Sequence, residues 1–187
     1  EKKGISDLIS LMAGNGSTSI NKDDFNEEID YLAATLSIAP NGAYAQVLSK
    51  YFPRVLALIA DAALHPNFTE EDMEKEKARI IQSIRANESN AEVIMKRVRQ
   101  TLRYTTAHPY GEYITEAQIA ALTLDDVTNY YRKRFVPNNA YLVVTGDVNP
   151  EEVITLVNQH FADWQPYSEE TPNLYIPENV SETQINF

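Results

Sequence analysis

Cysteine is absent from the 187-residue sequence, and histidine occurs only three times. The missing cysteines exclude disulfide bonds, thiolate nucleophiles and cysteine-ligated zinc sites. His65, His108 and His160 are far apart in the sequence, so none pairs with another at the spacing that places two metal ligands on one helical face. These two residue types alone therefore give no metal-binding or catalytic pattern.

Basic residues and long apolar runs are also scarce. Lys and Arg total 16 against 27 Asp and Glu, which gives a formal charge of -11. Such a surface repels a phosphate backbone, so we expect no nucleic-acid partner. No apolar run approaches the ~20 residues that a membrane-spanning helix requires, and we expect no membrane span. Neither Gly14 nor Gly146 continues into a glycine-rich nucleotide fingerprint.

The chain nevertheless has enough apolar residues for a substantial core. Hydrophobic residues make up 43% of it, which is ordinary globular usage. The length suits one domain or one large lobe of a bigger protein. The sequence opens on Glu1 with no initiator Met and no signal peptide. We therefore interpret the chain as an excised piece of a longer protein.

Helices outnumber strands in the pattern of apolar residues and turn signals. The predicted helices cover about residues 5–12, 22–32, 53–64, 70–84, 93–104, 124–134 and 151–161. Strands are predicted at 35–38 and 43–48, on either side of the hairpin signal Asn41-Gly42. The apolar run 141–145 predicts a central strand buried on both faces. This pattern favours an α+β fold, a two-layer lobe in which a mainly antiparallel sheet packs against helices.

Several side chains have predicted structural roles. Asn21, Thr69 and Thr123 precede helical patterns and are the predicted N-caps. Tyr130 and Tyr131 occur at helical spacing with core residues, which favours packing over ligand binding.

A series of short motifs gives a more specific indication than composition does. The segment from Gly4 to Met12 comes first, and Leu64-His65-Pro66-Asn67 precedes the long charged helix. His108-Pro109-Tyr110-Gly111 follows that helix. The most specific segment runs from Pro137-Asn138-Asn139 to Gly146-Asp147-Val148. In this order the motifs resemble the insulinase/pitrilysin family, which includes the mitochondrial processing peptidases and many bacterial relatives, over nearly the whole chain.

The resemblance implies an architecture as well as a family. Its members have α/β lobes of about this size, paired into halves that close around a peptide. Residues 1–165 would form one such metallopeptidase-like lobe, without the strands that normally precede the first motif helix. Residues 166–187 are rich in Pro, Ser and Glu and would form a linker and the start of a following segment, with 181–187 a possible strand.

The same resemblance bears on metal binding. Family members bind zinc through His-x-x-Glu-His on a helix, with a further Glu on a later helix. In this sequence the two histidine positions fall on Asp7 and Leu11, the general-base position on Ser10, and the later ligand near Ser83. Leucine has no lone pair, serine cannot replace a carboxylate base, and one carboxylate alone binds zinc weakly. We therefore predict no catalytic residue and no zinc in this chain, with zinc only in a partner lobe or subunit.

The remaining candidates each have a structural alternative. His108, Tyr110 and Tyr113 form the most site-like aromatic loop and are the candidates for peptide binding, although loop residues beside proline also serve as turn structure. Asp7 suits the positive end of a helix dipole. Glu88 is the one carboxylate near Ser83, and it fits a solvated helix end.

The resemblance leaves three functions open. The first is a non-catalytic lobe or subunit that binds peptide and assembles with a zinc-bearing homologous lobe or subunit, as a dimer or within a multi-lobe chain. The second is a metal-free scaffold, like the respiratory-complex core proteins of the same descent. The third is a fragment of an active zinc peptidase whose site lies elsewhere in the full-length chain. Bacterial relatives suggest a periplasmic or cell-envelope location.

Overall fold

The computed structural model describes residues 2–106, 108 and 110–167, and these residues form helices around one β-hairpin. The elements are α1 (Ile5–Met12), α2 (Lys22–Tyr31), β1 (Thr35–Ala39), β2 (Gly42–Gln46), α3 (Phe52–Leu64), α4 (Glu70–Ala86), α5 (Ala91–Tyr104), α6 (Glu116–Ala120), α7 (Leu124–Arg134) and α8 (Pro150–His160). Short 3-10 turns lie at Ser49–Tyr51 and Pro137–Asn139. All the predicted helices are present within a few residues, and α6 is additional.

Local side-chain chemistry explains where several helices begin. Asn21, Thr69 and Thr123 each accept a hydrogen bond from a backbone N–H in the first turn that follows, as predicted. Thr123 forms a full capping box with Asp126. The same motif with Thr115 begins α6, where the sequence pattern was too short to predict a helix.

The hairpin supplies the antiparallel sheet of the described residues. Thr35 pairs with Gln46 and Ala39 with Gly42, so the turn is Pro40-Asn41, one residue earlier than the predicted signal. Proline suits this position because its ring fixes φ in a turn-compatible range. β1 buries Ile38, whereas every residue of β2 is exposed. The hairpin packs against α1 and α3, which confirms an α+β lobe with an antiparallel sheet on helices.

The core is centred on α1, whose apolar face is Ile5, Leu8, Ile9 and Met12. Leu8 and Ile9 have no exposed surface. This face is enclosed by α4, α7 and β1. Burying side chains of this size stabilises the fold by about 1.5–3 kcal/mol each. The helix that carries the predicted motif positions is therefore held rigidly by its opposite face.

A second part of the core joins α3 to α7. Tyr131 is buried, and its hydroxyl donates to the Ala63 carbonyl oxygen at 2.9 Å. Its ring contacts Phe68 edge-on and stacks on Phe135. Burial raises the pKa of Tyr131 above its ordinary value. The predicted packing role is confirmed for this residue.

The prediction of a buried central strand at 141–145 is wrong. The segment is irregular, and Tyr141, Leu142 and Val143 are 93%, 55% and 79% exposed. None of its residues makes a backbone hydrogen bond to another described residue. A strand requires neighbours that complete its hydrogen-bond ladder, and no described strand lies beside this segment. The apolar run of one segment does not show whether another strand lies beside it.

Two further expectations concern the membrane and the chain end. In the described ranges, no helix combines the length and apolar composition needed to cross a bilayer. The predicted linker at 166–187 and the possible strand at 181–187 lie outside the described residues, apart from residues 166 and 167.

Candidate functional site

The helix α1, to which the resemblance assigns the zinc motif, begins at a glycine for a steric reason. Gly4 has φ +80°, and a Cβ added there would lie 2.4 Å from Cδ1 of Ile119. Only glycine adopts this conformation without strain and also allows α6 to approach so closely. α1 thereby starts against α6 and buries its apolar face, which leaves its polar positions on the outer side.

The three positions of α1 that the resemblance assigns to the zinc motif hold a carboxylate, a hydroxyl and a leucine side chain. Asp7 is an exposed acid in the first turn, where it favours the positive end of the helix dipole. Ser10 is exposed, and its hydroxyl donates to the Ser6 carbonyl oxygen at 2.8 Å. Leu11 is half-buried. Only Asp7 among the three could offer a metal a charged oxygen.

The later ligand position does not change this conclusion. Ser83 is exposed on α4, the long helix that packs directly against α1. Glu88 lies beyond the end of that helix and is exposed. The two family helices are therefore adjacent, as a shared metal site would require. Their residues do not fit zinc, since one carboxylate, two hydroxyls and a leucine lack the three charged or imidazole ligands of a catalytic site.

The residues that the structure describes form no other candidate metal site. No group of three or more His, Cys, Asp or Glu side chains there is close enough to hold an ion.

The aromatic loop brings together two of its three predicted residues. His108 lies between Tyr104 and Tyr110, with ring centroids 5.2 Å apart in each pair. The Tyr110 N–H donates to His108 Nδ1 at 3.1 Å. Tyr113 lies apart from this stack, with the guanidinium of Arg97 6.0 Å from its ring centroid. Tyr104 was not predicted, because it ends α5 and the helix pattern accounts for it without any loop contact.

A second group of polar side chains was also not predicted from the sequence. It consists of Ser17, Ser19, Asp61 and His65. Ser17 Oγ donates to Asp61 Oδ2 at 2.5 Å, Ser19 Oγ donates to the same oxygen, and His65 Nδ1 lies 3.2 Å from Asp61 Oδ1. The carboxylate stands between the hydroxyls and the imidazole, whereas a nucleophilic triad needs the imidazole in the middle. The cluster therefore anchors the loop after α1 to α3 and has no catalytic geometry.

The charge state of this cluster follows from its contacts. Burial raises the pKa of Asp61, but the hydrogen bonds from Ser17 and Ser19 together with the neighbouring His65 outweigh burial. The pKa of the carboxyl group consequently lies below its ordinary value. The only sequence signal was the four-residue spacing of Asp61 and His65.

A large open groove lies between β2 and the exposed segment 140–146. It encloses about 2260 Å³. Tyr44 of β2 and Tyr141 to Val144 contribute its lining, together with apolar residues of α3 and α8. A strand such as β2, which pairs with β1 among the described residues, is the kind of element to which another strand can be added.

Two family models match the chain. "Insulinase (Peptidase family M16)" matches residues 1–111, and "Peptidase M16 inactive domain" matches residues 121–185. The first covers more than half of the chain and includes α1 and α4.

Curated relatives are distant in sequence. The "Uncharacterized zinc protease" of Rickettsia felis is 25% identical over 168 residues, which are 87% of this chain and 40% of that protein. The beta subunit of human mitochondrial-processing peptidase is 23% identical, over 87% of this chain and 34% of its own. The "Non-peptidase homolog YmxG" of Helicobacter pylori is 21% identical, over 83% and 37%. The chain thus spans at most about 40% of the length of these relatives.

Solved structures agree on the fold. An M16 inactive domain from Pseudomonas fluorescens superposes with a TM-score of 0.78 at 16% identity, over 95% of this chain and 45% of its own. A Helicobacter pylori protease gives 0.73 at 19% identity, over 93% and 44%. The periplasmic protease PqqL of Escherichia coli gives 0.69 at 16% identity, over 95% and 21%. With its motif helices adjacent and its sequence matched by the family model, the chain belongs to the insulinase family of peptidases, family M16.

Proposed function

We propose that this chain is a non-catalytic lobe or subunit of an M16 peptidase, which binds peptide and assembles with a zinc-bearing homologous lobe or subunit. The observation that carries the proposal is that α1 and α4 pack together but hold other residues at the positions assigned to the zinc ligands and base. Both helices are present and packed together, but Asp7, Ser10, Leu11 and Ser83 stand where ligands and base are needed. Retention of the helices without the ligands favours a role in binding.

Two of the comparisons support a role without catalysis. The family model that matches residues 121–185 describes an inactive domain. One relative, from Helicobacter pylori, is named a non-peptidase homolog. Other relatives are named proteases. The relatives of this chain therefore include both proteins named as proteases and one named as a non-peptidase.

The groove supports the peptide-binding part of the proposal. β2 is exposed along its whole length, and the facing segment 141–145 has no ladder of its own. Strand addition uses backbone hydrogen bonds, which tolerate many sequences. A lobe that helps to enclose varied peptides would gain from such a surface. The stack of Tyr104, His108 and Tyr110 is a second candidate contact.

A periplasmic or cell-envelope location forms part of the proposal. One similar structure is a periplasmic protease of Escherichia coli.

The test is a metal measurement combined with a cleavage assay. The purified chain is analysed for zinc alone and together with a candidate partner that carries an intact His-x-x-Glu-His, and casein or peptide cleavage is measured for the same samples. We expect no stoichiometric zinc in the chain alone, and more cleavage by the pair than by the partner alone.

Each other result supports a different function. Stoichiometric zinc in the chain alone would refute the proposal. Binding of the partner without any change in cleavage would favour a metal-free scaffold. Zinc and activity in a longer form of the same chain, without a partner, would favour a fragment of an active peptidase.

A further inference from the structure

The helix α5 buries none of its residues. Its apolar side chains nevertheless lie on one face. At 100° per residue, Ile94, Val98 and Leu102 form a stripe along the helix, and Met95 borders it. These four side chains are 43%, 52%, 57% and 59% exposed, respectively. The stripe is therefore a continuous apolar surface with no cover among the described residues.

An uncovered stripe on a helix of this length is energetically unfavourable. Isolated helices shorter than about 12–15 residues are marginal in water, and most helical stability in proteins comes from packing of the apolar face. α5 has 14 residues. Its connection to the following loop is supported by Thr101, whose hydroxyl donates to the Gly111 carbonyl oxygen at 3.0 Å. Thr101 lies at the edge of the stripe, next to Ile94, and Ile94, Val98 and Leu102 remain exposed despite this contact.

The charges beside the stripe differ in sign from the rest of the molecule. α5 carries Lys96, Arg97, Arg99 and Arg103 against the single acid Glu92, within a chain of formal charge -11. No ion pair joins these four cations to another residue that the structure describes. Arg97 and Arg103 instead lie over tyrosine rings. Helical geometry places Arg99 on one side of the stripe and Arg97 on the other.

We propose that this face of α5 binds an acidic amphipathic helix of a partner protein. Its apolar side chains would cover Ile94, Val98 and Leu102, and its carboxylates would pair with Arg97 and Arg99. The proposal goes beyond the lobe's proposed function and does not depend on it, since the surface is separate from α1 and from the groove.

The overall charge favours a narrow acidic helix over an anionic lipid surface. Exposed charges interact over about 8–10 Å at physiological salt. A single helix seated on α5 meets mainly the local cations, whereas a flat anionic bilayer also meets the acidic remainder of the chain. A second copy of the chain is another possible occupant, and the experiment distinguishes it.

The experiment uses a fluorescent helical peptide with leucines along one face and glutamates on both flanks. A matched peptide has lysine in place of each glutamate. Binding to the whole chain is measured by anisotropy at low and high salt. We expect the acidic peptide to bind and the basic peptide not to bind. The double variant M95E/V98E should lose affinity by about tenfold or more. The variant R97E/R99E should also weaken binding of the acidic peptide, and it should begin to bind the basic peptide.

The control is Ile154→Glu, which places one glutamate at an exposed apolar residue of α8. It should leave peptide affinity unchanged, and circular dichroism should show that every variant is folded. Equal binding of both peptides, or an equal loss in the control, would refute the proposal. Binding to phosphatidylglycerol vesicles without binding of the acidic peptide would also refute it. Self-association abolished by M95E/V98E would assign the face to a second copy instead.

Discussion

At the scale of single residues, the polar contacts of Asp61 make the stability of this lobe depend on pH. Asp61 accepts hydrogen bonds from Ser17 and Ser19 and lies beside His65, and its pKa is lowered from 3.8 in the folded state. A depressed carboxyl pKa contributes stability that is present above the unfolded pKa and is lost as the pH falls through the folded one. We expect Asp61→Asn to lower the free energy of unfolding at pH 7 by about 1–2 kcal/mol, measured by urea denaturation.

The pH dependence separates this charge effect from a general structural defect. The difference between Asp61→Asn and the parent chain should shrink as the pH falls below about 4, because the parent loses the same charge. Asp147→Asn, at an exposed aspartate, is the matched control and should change stability little at any pH. A constant difference between Asp61→Asn and the parent across pH 3–7 would contradict the electrostatic explanation.

Gly4 gives a prediction of purely steric origin. Its φ is positive, and only 2.4 Å would separate an added Cβ from Ile119 Cδ1, so both features oppose any side chain. We expect Gly4→Ala to destabilise the fold by more than about 1 kcal/mol, measured as a lower melting temperature. Ile119→Val removes the clashing methyl group, so the double variant should lose less than the sum of the two single changes. Strict additivity would show that only backbone strain acts at Gly4.

The same scale shows where sequence-based prediction succeeds. Caps such as Thr69 and Thr123 were predicted because each contacts a backbone N–H only a few residues away. The assignment of Asp7, Ser10 and Leu11 to the zinc-motif positions stays a prediction. The contact of Ser17 with Asp61 spans 44 residues, and no local pattern reports such a pair. Tyr104 lies only four residues from His108, and it was missed because the helix pattern already accounted for it.

Helices and strands differ in how far a local pattern determines them. A helix forms its hydrogen bonds within itself, so apolar periodicity predicted most of these helices within a few residues. A strand depends on its neighbours. The hairpin has its partner two residues away and was predicted, whereas 141–145 has an apolar strand pattern without a described partner strand.

This segment gives a prediction at the scale of elements. The amides of 141–145 make no backbone hydrogen bond to described residues, so we expect them to exchange rapidly with deuterium in the isolated chain. The paired residues of β1 should exchange more slowly. If strands add to the groove, a binding partner or peptide should slow exchange at 141–145 and β2 together. Slow exchange of 141–145 in the isolated chain would show that the segment already has a partner.

The whole molecule combines a preserved framework with uncovered surfaces. The rigid part is the α1–α4–α7 core, which was largely predictable from apolar spacing. The groove and the α5 stripe were not predictable, because exposure depends on what is missing beside an element. Both surfaces expose apolar side chains in a chain with formal charge -11, and exposed apolar patches mark sites of interaction.

At the scale of the whole molecule, the decisive property is whether α1 and α4 have the spacing that a zinc site requires. If only the ligands were lost, the substitutions Asp7→His, Ser10→Glu, Leu11→His and Ser83→Glu should create a site that binds one zinc ion, measured by calorimetry and by metal content after dialysis. Two histidines four residues apart share one helical face, and α4 lies against that helix. The variant without Ser83→Glu should bind more weakly, because it lacks the third ligand. A folded fourfold variant that binds no more zinc than the parent would mean that the two helices do not have the spacing of a metal site.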